Sequence, residues 1–191
     1  VNQALREALN QTTGKIKVGI INSLGMRSDD KSVAILTNLI YDSDPQVAAA
    51  SVAALGKIAT TQAIAALEQA KEKTTGKLRL LVLDAYLNCA DQLMAQGKST
   101  QALNIYKQLY LPDEPIPIRA AALRGLVLAN PDKATQIICE TLAGDDDAMK
   151  IVAIDLVREI PSTEITEAVS AKLPHLSATH QVQLLSALAD R

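Results

Sequence analysis

Residues 11–19 read QTTGKIKVG and residues 73–81 read KTTGKLRLL. A glycine–lysine pair behind two threonines is an ingredient of phosphate-cradling loops. The first question is whether TTGK marks a nucleotide site or something the chain does twice. Such a loop needs Gly-x-x-x-x-Gly-Lys followed by Ser or Thr, whose hydroxyl ligates magnesium. Here Lys15 is followed by Ile16 and Lys77 by Leu78, and the positions five residues before Gly14 and Gly76 are Leu9 and Lys71. The phosphate reading fails at both copies.

The two glycines stand 62 residues apart, twice 31. Sliding the chain on itself by 31 gives a column at Ile16, Val47, Leu78, Ile118, Met149 and His180, with one longer interval of 40. Five residues later the column reads Ile21, Val52, Leu83, Leu123, Ile154 and Leu185. Eight residues later it reads Leu24, Leu55, Tyr86, Leu126, Val157 and Leu188. Three columns in phase over six copies identify an internal repeat, and a period of this length signals a stacked array.

Each copy holds two helical patterns. Three residues before the anchor column stand Thr13, Asp44, Thr75, Pro115, Asp146 and Ser177. Five of the six carry a side-chain oxygen able to cap the free amides of a helix start. TTGK is therefore read as a helix-start signal, with Gly14 and Gly76 at the first helical position. Pro45, after Asp44, suits the first turn, where its missing N–H costs nothing. Asp30, Thr61, Asp132 and Thr163, seventeen residues before the anchors, form a second cap column. It starts the other helix of each pair, with apolar anchors Leu5, Leu36, Leu67, Ile138 and Val169. Pro131 and Pro161 stop the helices that precede two of these caps. The expectation is about twelve helices, a first (A) and a second (B) in each of six antiparallel pairs, and no strand.

The stretch VAAASVAALGKI (47–58) resembles the second helix of the short HEAT-like repeats of the bilin-lyase type, and GKIKVGIINSLGMR (14–27) and IRAAALRGLVLA (118–129) are weaker copies of it. The resemblance covers the whole chain. It implies an all-α, right-handed α-solenoid of about six helix pairs, with A helices on the convex side and B helices lining the concave side. Residues 1–191 are read as a single repeat domain: regular units over 1–77 and 118–191, an enlarged unit over about 78–117, and no flexible linker. In the enlarged unit, LRLLVLDAYLNCADQLMAQG predicts a helix to about Gln96, two turns longer than its sisters, and LPDEPIP (111–117) a proline-rich turn. Gly97, Ala102 and Tyr106 give this unit a tetratricopeptide-like look. Solenoids need polar end caps, and the apolar ending QLLSALADR, with a start at Val1, raises the expectation of a piece of a longer protein.

Composition removes several function classes. Of 191 residues, 48% are hydrophobic, yet the only aromatics are four tyrosines, so the core rests on small and branched aliphatics. A net charge of −2 gives no electrostatic case for nucleic acid or an anionic membrane. No apolar run reaches the length of a membrane span. Compartment stays open between the cytoplasm and export, since the family resemblance extends to arrays appended to large bacterial proteins. Cys89 and Cys139 show neither metal nor disulfide spacing and read as free thiols in apolar helices. Asp145, Asp146 and Asp147 lack the alternating oxygens and closing Glu of a calcium loop. His175 and His180 are not followed by Glu, unlike the His-Glu pairs of HEAT-like iron hydroxylases, and the basic, aromatic groove of HEAT-like DNA glycosylases is missing. No nucleophile–base constellation is visible. The chain is read as non-enzymatic, with no cofactor and no metal.

Two polar columns remain. The residue after each anchor is Lys17, Ala48, Arg79, Arg119, Lys150 or Gln181. It points at the core edge near a helix N-terminus, where a cation opposes the helix dipole and requires an acid. Asp44, Glu114, Asp145 and Asp146 lie in the adjoining turns, and in HEAT-like families such a ladder joins neighbouring repeats. The other columns lie on the open side of the B helices: Asn22, Ala53, Asp84, Arg124, Asp155 and Ser186 at the sixth position, and Met26, Lys57, Asn88, Leu128, Glu159 and Asp190 at the tenth. Polar groups among small residues suit a groove for a protein or peptide. Asp84, Asn88, Arg124, Asp155 and Glu159 are the candidate contact residues, Arg124 being central and bracketed by Asp84 and Asp155. The expected function is a non-catalytic scaffold. The alternatives are an accessory domain or subunit of an enzyme, such as a bilin-lyase relative, and a purely structural spacer.

Overall fold

The computed structural model of the chain describes residues 1–190. Among them are twelve α-helices, three short 3-10 turns and no strand. Two compact units divide the chain, Val1–Lys98 and Ser99–Arg191. The first holds α1 (Asn2–Leu9), α2 (Gly14–Met26), α3 (Val33–Leu39), α4 (Pro45–Ile58), α5 (Thr61–Lys73) and α6 (Gly76–Ala95). The second holds α7 (Ser99–Leu109), α8 (Ile116–Leu128), α9 (Ala134–Ala143), α10 (Asp147–Glu159), α11 (Thr163–Lys172) and α12 (Ala178–Ala189). Even-numbered helices carry the anchor columns. In the first unit α2 packs on α4 and α4 on α6, with α1, α3 and α5 beside them; in the second, α8 packs on α10 and α10 on α12. Each unit is thus a stack of helix pairs, as a solenoid requires.

The stacking distance follows from the residues that face each other. A Cβ added at Gly25 on α2 would lie 2.9 Å from the Cα of Ala54 on α4, and one at Gly56 on α4 would lie 3.0 Å from the carbonyl oxygen of Ala85 on α6. Glycine over alanine, twice, lets the B helices of the first unit approach backbone to backbone. Leu24, Leu55 and Leu67 are wholly buried around these contacts, each worth about 1.5–3 kcal/mol of burial. In the second unit the larger ring of Tyr106 on α7 covers Gly125 on α8. Together with the buried Ala102 and the left-handed Gly97 (φ +73°), this accounts for the tetratricopeptide-like look. Gly97 closes α6 through bonds from its own amide to Met94 and from the Lys98 amide to Leu93, the paired closure that a left-handed residue permits. α6 runs to Ala95, twenty residues against thirteen or fourteen in α2 and α4, as the sequence pattern predicts.

Three expectations are corrected. Asp44, Asp146 and Ser177 cap their helices through side-chain oxygens, but Thr13 and Thr75 make no such bond. At both copies of TTGK the threonine is extended and the glycine that follows has φ of +54° or +57°. The glycine, not the threonine hydroxyl, turns the chain into the helix, because left-handed backbone is strained for any residue with a Cβ. The second cap column sits one residue early at two places: Thr60 and Ser162, not Thr61 and Thr163, accept the amides of Ala63 and Ile165. Asp30 and Asp132 fall inside the 3-10 turns Asp30–Ser32 and Pro131–Lys133. The third correction concerns the apolar columns, which are not buried throughout. Ile16 is 67% exposed where Val47 is 1%, and Leu185 is 53% exposed where Ile154 is 2%. A column residue is buried only where the neighbouring helix pair covers it.

Candidate functional site

The ladder of basic residues is structural in its contacts. Lys17 on α2 reaches Asp42 in the turn before α4, at 3.6 Å. Arg119 on α8 is ion-paired with Asp146 in the turn before α10. Each bond ties one helix pair to the next within a unit. Lys150 bonds Asp147 at 3.0 Å, and the Gln181 amide donates to the carbonyls of Leu173 and Leu176 at 3.1 Å. The hydrogen bond from Arg119 holds the Asp146 carboxyl below its ordinary range, against a smaller opposing effect of burial. Asp146 also accepts the Met149 amide at 3.2 Å, so one carboxylate serves as helix cap and repeat tie together. Asp146 and Asp147 of the acidic run are thereby engaged in capping and pairing. A related tie holds α1: burial raises the Asp29 carboxyl, but bonds from Arg6 and Asn2 outweigh it and leave it lowered.

The nucleophilic side chains are quiet. Burial pushes the Cys89 thiol up to about 12, and its sulfur lies 3.8 Å from the Gly56 carbonyl. Burial also raises Cys139, with Lys172 pulling the other way. His180 is buried, with Nδ1 3.0 Å from the Ser177 hydroxyl. Tyr86 is buried and its phenol raised by burial, with the Lys71 ammonium 5.9 Å from the ring centre.

The open side of the B helices is as the periodicity predicts. All sixth-position and tenth-position residues, from Asn22 and Met26 to Ser186 and Asp190, are exposed. Asp84 and Asn88 lie on α6 in the first unit; Arg124, Asp155 and Glu159 lie on α8 and α10 in the second. The structure brings Arg124 to Glu159, with which it forms an ion pair, and not to Asp155. Asp155 instead accepts from Arg158 at 3.0 Å, and Arg158 Nε donates to Asp190 on α12 at 2.9 Å. The displacement has a geometric cause. The long Arg124 side chain reaches one helical turn along α10, four positions beyond its repeat equivalent Asp155.

Sequence reasoning missed a second element of this face. Ile151 and Val182, two residues after their anchors on α10 and α12, are exposed and floor a groove of ≈ 330 Å³ with Ile154, flanked by Asp155, Arg158, Gln183 and Ser186. The signal was present: Leu80, Ile151 and Val182 share one column at the border between the core arc and the open arc, and all three are exposed.

Comparison with known proteins places these observations. Residues 2–86 match the family model for HEAT repeats. No curated protein matches the chain. Among solved structures, the chain is similar to one in the complex of CpcE and CpcF of phycocyanin lyase from Nostoc sp. PCC7120, with 18% identity and a TM-score of 0.48, over 98% of this chain and 81% of that one. No helix among the described residues is long and apolar enough to cross a membrane.

Proposed function

We propose that this chain, whose residues 2–86 match the family model for HEAT repeats, is a non-catalytic scaffold module that binds a protein or peptide on the exposed faces of its B helices. The observation that carries the reading is the divided labour of each B helix. Most residues of the anchor-derived columns build the core, and Lys17 and Arg119 tie neighbouring helix pairs, while the sixth and tenth positions stay exposed in every copy. Adjacent helices are linked on this face by Arg124–Glu159 and Arg158–Asp190. Such pairs hold long side chains in place, which lowers the ordering cost when a partner docks. Arginine is moreover enriched among the residues that dominate interface energies. The buried Cys89 thiol, its pKa raised by burial, and a histidine tied to Ser177 support the absence of catalysis in the proposal.

The test is capture of partners by the intact protein, compared with Arg124→Glu and with Glu140→Lys on the exposed side of α9. Arg124→Glu sets two carboxylates against each other where an ion pair stood. The pair is half exposed, so folding stability should change by no more than about 1 kcal/mol. A partner lost with Arg124→Glu and kept with Glu140→Lys is the expected result. Every partner retained by both variants would overturn the assignment of the face.

A further inference from the structure

We propose that the groove between α10 and α12 receives a basic side chain, lysine or arginine, flanked by an aliphatic residue, from a segment of the partner protein. This inference rests on the B-helix face being the binding surface and names the chemistry one part of it selects.

Three independent features of the groove ask for the same occupant. The first is charge. Asp155 and Asp190 share the single guanidinium of Arg158, at 3.0 and 2.9 Å, so among the described residues this rim keeps one carboxylate charge in excess. Arg124 cannot supply the balance, because it is paired with Glu159. The second is an acceptor without a donor: Gln183 lines the groove, and its side-chain oxygen is buried with no hydrogen-bond partner. A buried unsatisfied acceptor is costly, so rotation of this amide toward a donor arriving in the groove is favoured. The third is the floor, made by Ile151, Ile154 and Val182, with Val182 68% exposed. Lysine and arginine are donors only, with no acceptor to clash with this set, and their aliphatic stems lie along apolar surface while the head reaches polar atoms. An acidic side chain would meet the excess carboxylate and a carbonyl-type oxygen, and is repelled on both counts. A neutral aliphatic side chain alone would cover the floor and leave the oxygen and the charge unanswered.

The position is also peculiar to this pair of helices. The column containing Gln183 reads Gly19, Ala50, Leu81, Ala121 and Val152 in the other copies, none of which offers a side-chain acceptor. The floor column is alanine at 49 and 120 and an apolar residue, Val18 and Leu80, in the remaining copies, so it is the Gln183 acceptor that sets this groove apart.

The experiment uses the whole chain and three short capped peptides: Gly-Leu-Lys-Leu-Gly, Gly-Leu-Glu-Leu-Gly and Gly-Ser-Lys-Ser-Gly. Binding is followed by the methyl resonances of Ile151 and Val182. The leucine–lysine peptide should shift both methyls saturably, the leucine–glutamate peptide should not, and the serine–lysine peptide should bind more weakly. Asp155→Asn or Asp190→Asn should each weaken the leucine–lysine peptide about threefold, as expected for an exposed ion pair, and less so at high salt. Glu164→Gln, an exposed carboxylate on α11 away from the groove, should change nothing. Equal binding of the acidic peptide, equal weakening by Glu164→Gln, or no shift at either methyl would overturn the proposal. If a captured partner still depends on Arg124 in that case, the groove assignment falls while the face assignment stands; if neither holds, both fall.

Discussion

The same substitution at two glycines of one helix should move stability in opposite directions. Gly19 and Gly25 both lie in α2. A Cβ at Gly19 meets nothing within 4 Å, so Gly19→Ala should stabilise the helix by about 0.5–1 kcal/mol through reduced backbone entropy of the unfolded chain. A Cβ at Gly25 would stand 2.9 Å from both the Cα and the Cβ of Ala54, roughly half an ångström inside ordinary van der Waals contact. These atoms belong to the facing backbone and its first side-chain carbon, neither of which can rotate away. α2 and α4 would therefore have to separate, loosening Leu24 and Leu55, both wholly buried at the same interface. Overpacking of this kind costs about 1–3 kcal/mol, which exceeds the small propensity gain of alanine in the last turn of the helix. The assay is urea unfolding by circular dichroism, supported by amide hydrogen exchange in α4 to assign the change to the first unit. Gly25→Ala should lower the midpoint and speed exchange at Ala54 and Leu55, while Gly19→Ala should raise the midpoint. Equal midpoints for the two variants would show that the helices are not held at the glycine-to-alanine distance, and the account of the stacking would fail.

Two further outcomes follow from named contacts. Arg119→Ala should lower stability by about 0.5–1 kcal/mol near neutral pH, because it removes the tie to Asp146, which is 39% exposed and keeps the Met149 amide. The Asp146 carboxyl is lowered in the folded state from 3.8, so the tie is fully present above that value and is lost as the pH falls through the folded value. Urea midpoints of wild type and Arg119→Ala should accordingly differ at pH 7 and converge at strongly acidic pH; a gap independent of pH would refute the tie. Gly14→Ala and Gly76→Ala should each destabilise by about 1–2 kcal/mol through backbone strain alone, since a Cβ at either site meets no atom within 4 Å. Unchanged thermal midpoints would return the helix-start role to Thr13 and Thr75.

The candidate face divides in the same way as these contacts do. Arg124, Asp155 and Glu159 could be placed on the open side from periodicity, because 100° per residue separates the sixth and tenth positions from the core arc. Their pairing could not be so placed. Sequence columns align residues at equal distance from their anchors, whereas side-chain length and packing set which residues meet, and Arg124 reaches Glu159 rather than Asp155.

The sequence by itself determined the repeat, the number of helices, the long α6 and the identity of the exposed columns. Each of these depends on local periodicity and on punctuation by Gly, Pro, Asp and Ser. The tertiary structure alone decided that Ile16 and Leu185 stay exposed while their column-mates are buried, that Gly25 and Gly56 set the stacking distance, and that Asp155, Arg158 and Asp190 assemble over an apolar groove. Burial and pairing are properties of what lies opposite a residue. In this array the facing residue lies 29 positions on for Gly25 and Ala54, 32 for Arg158 and Asp190 and 35 for Arg124 and Glu159, an offset fixed by packing rather than by anything written beside it in the chain.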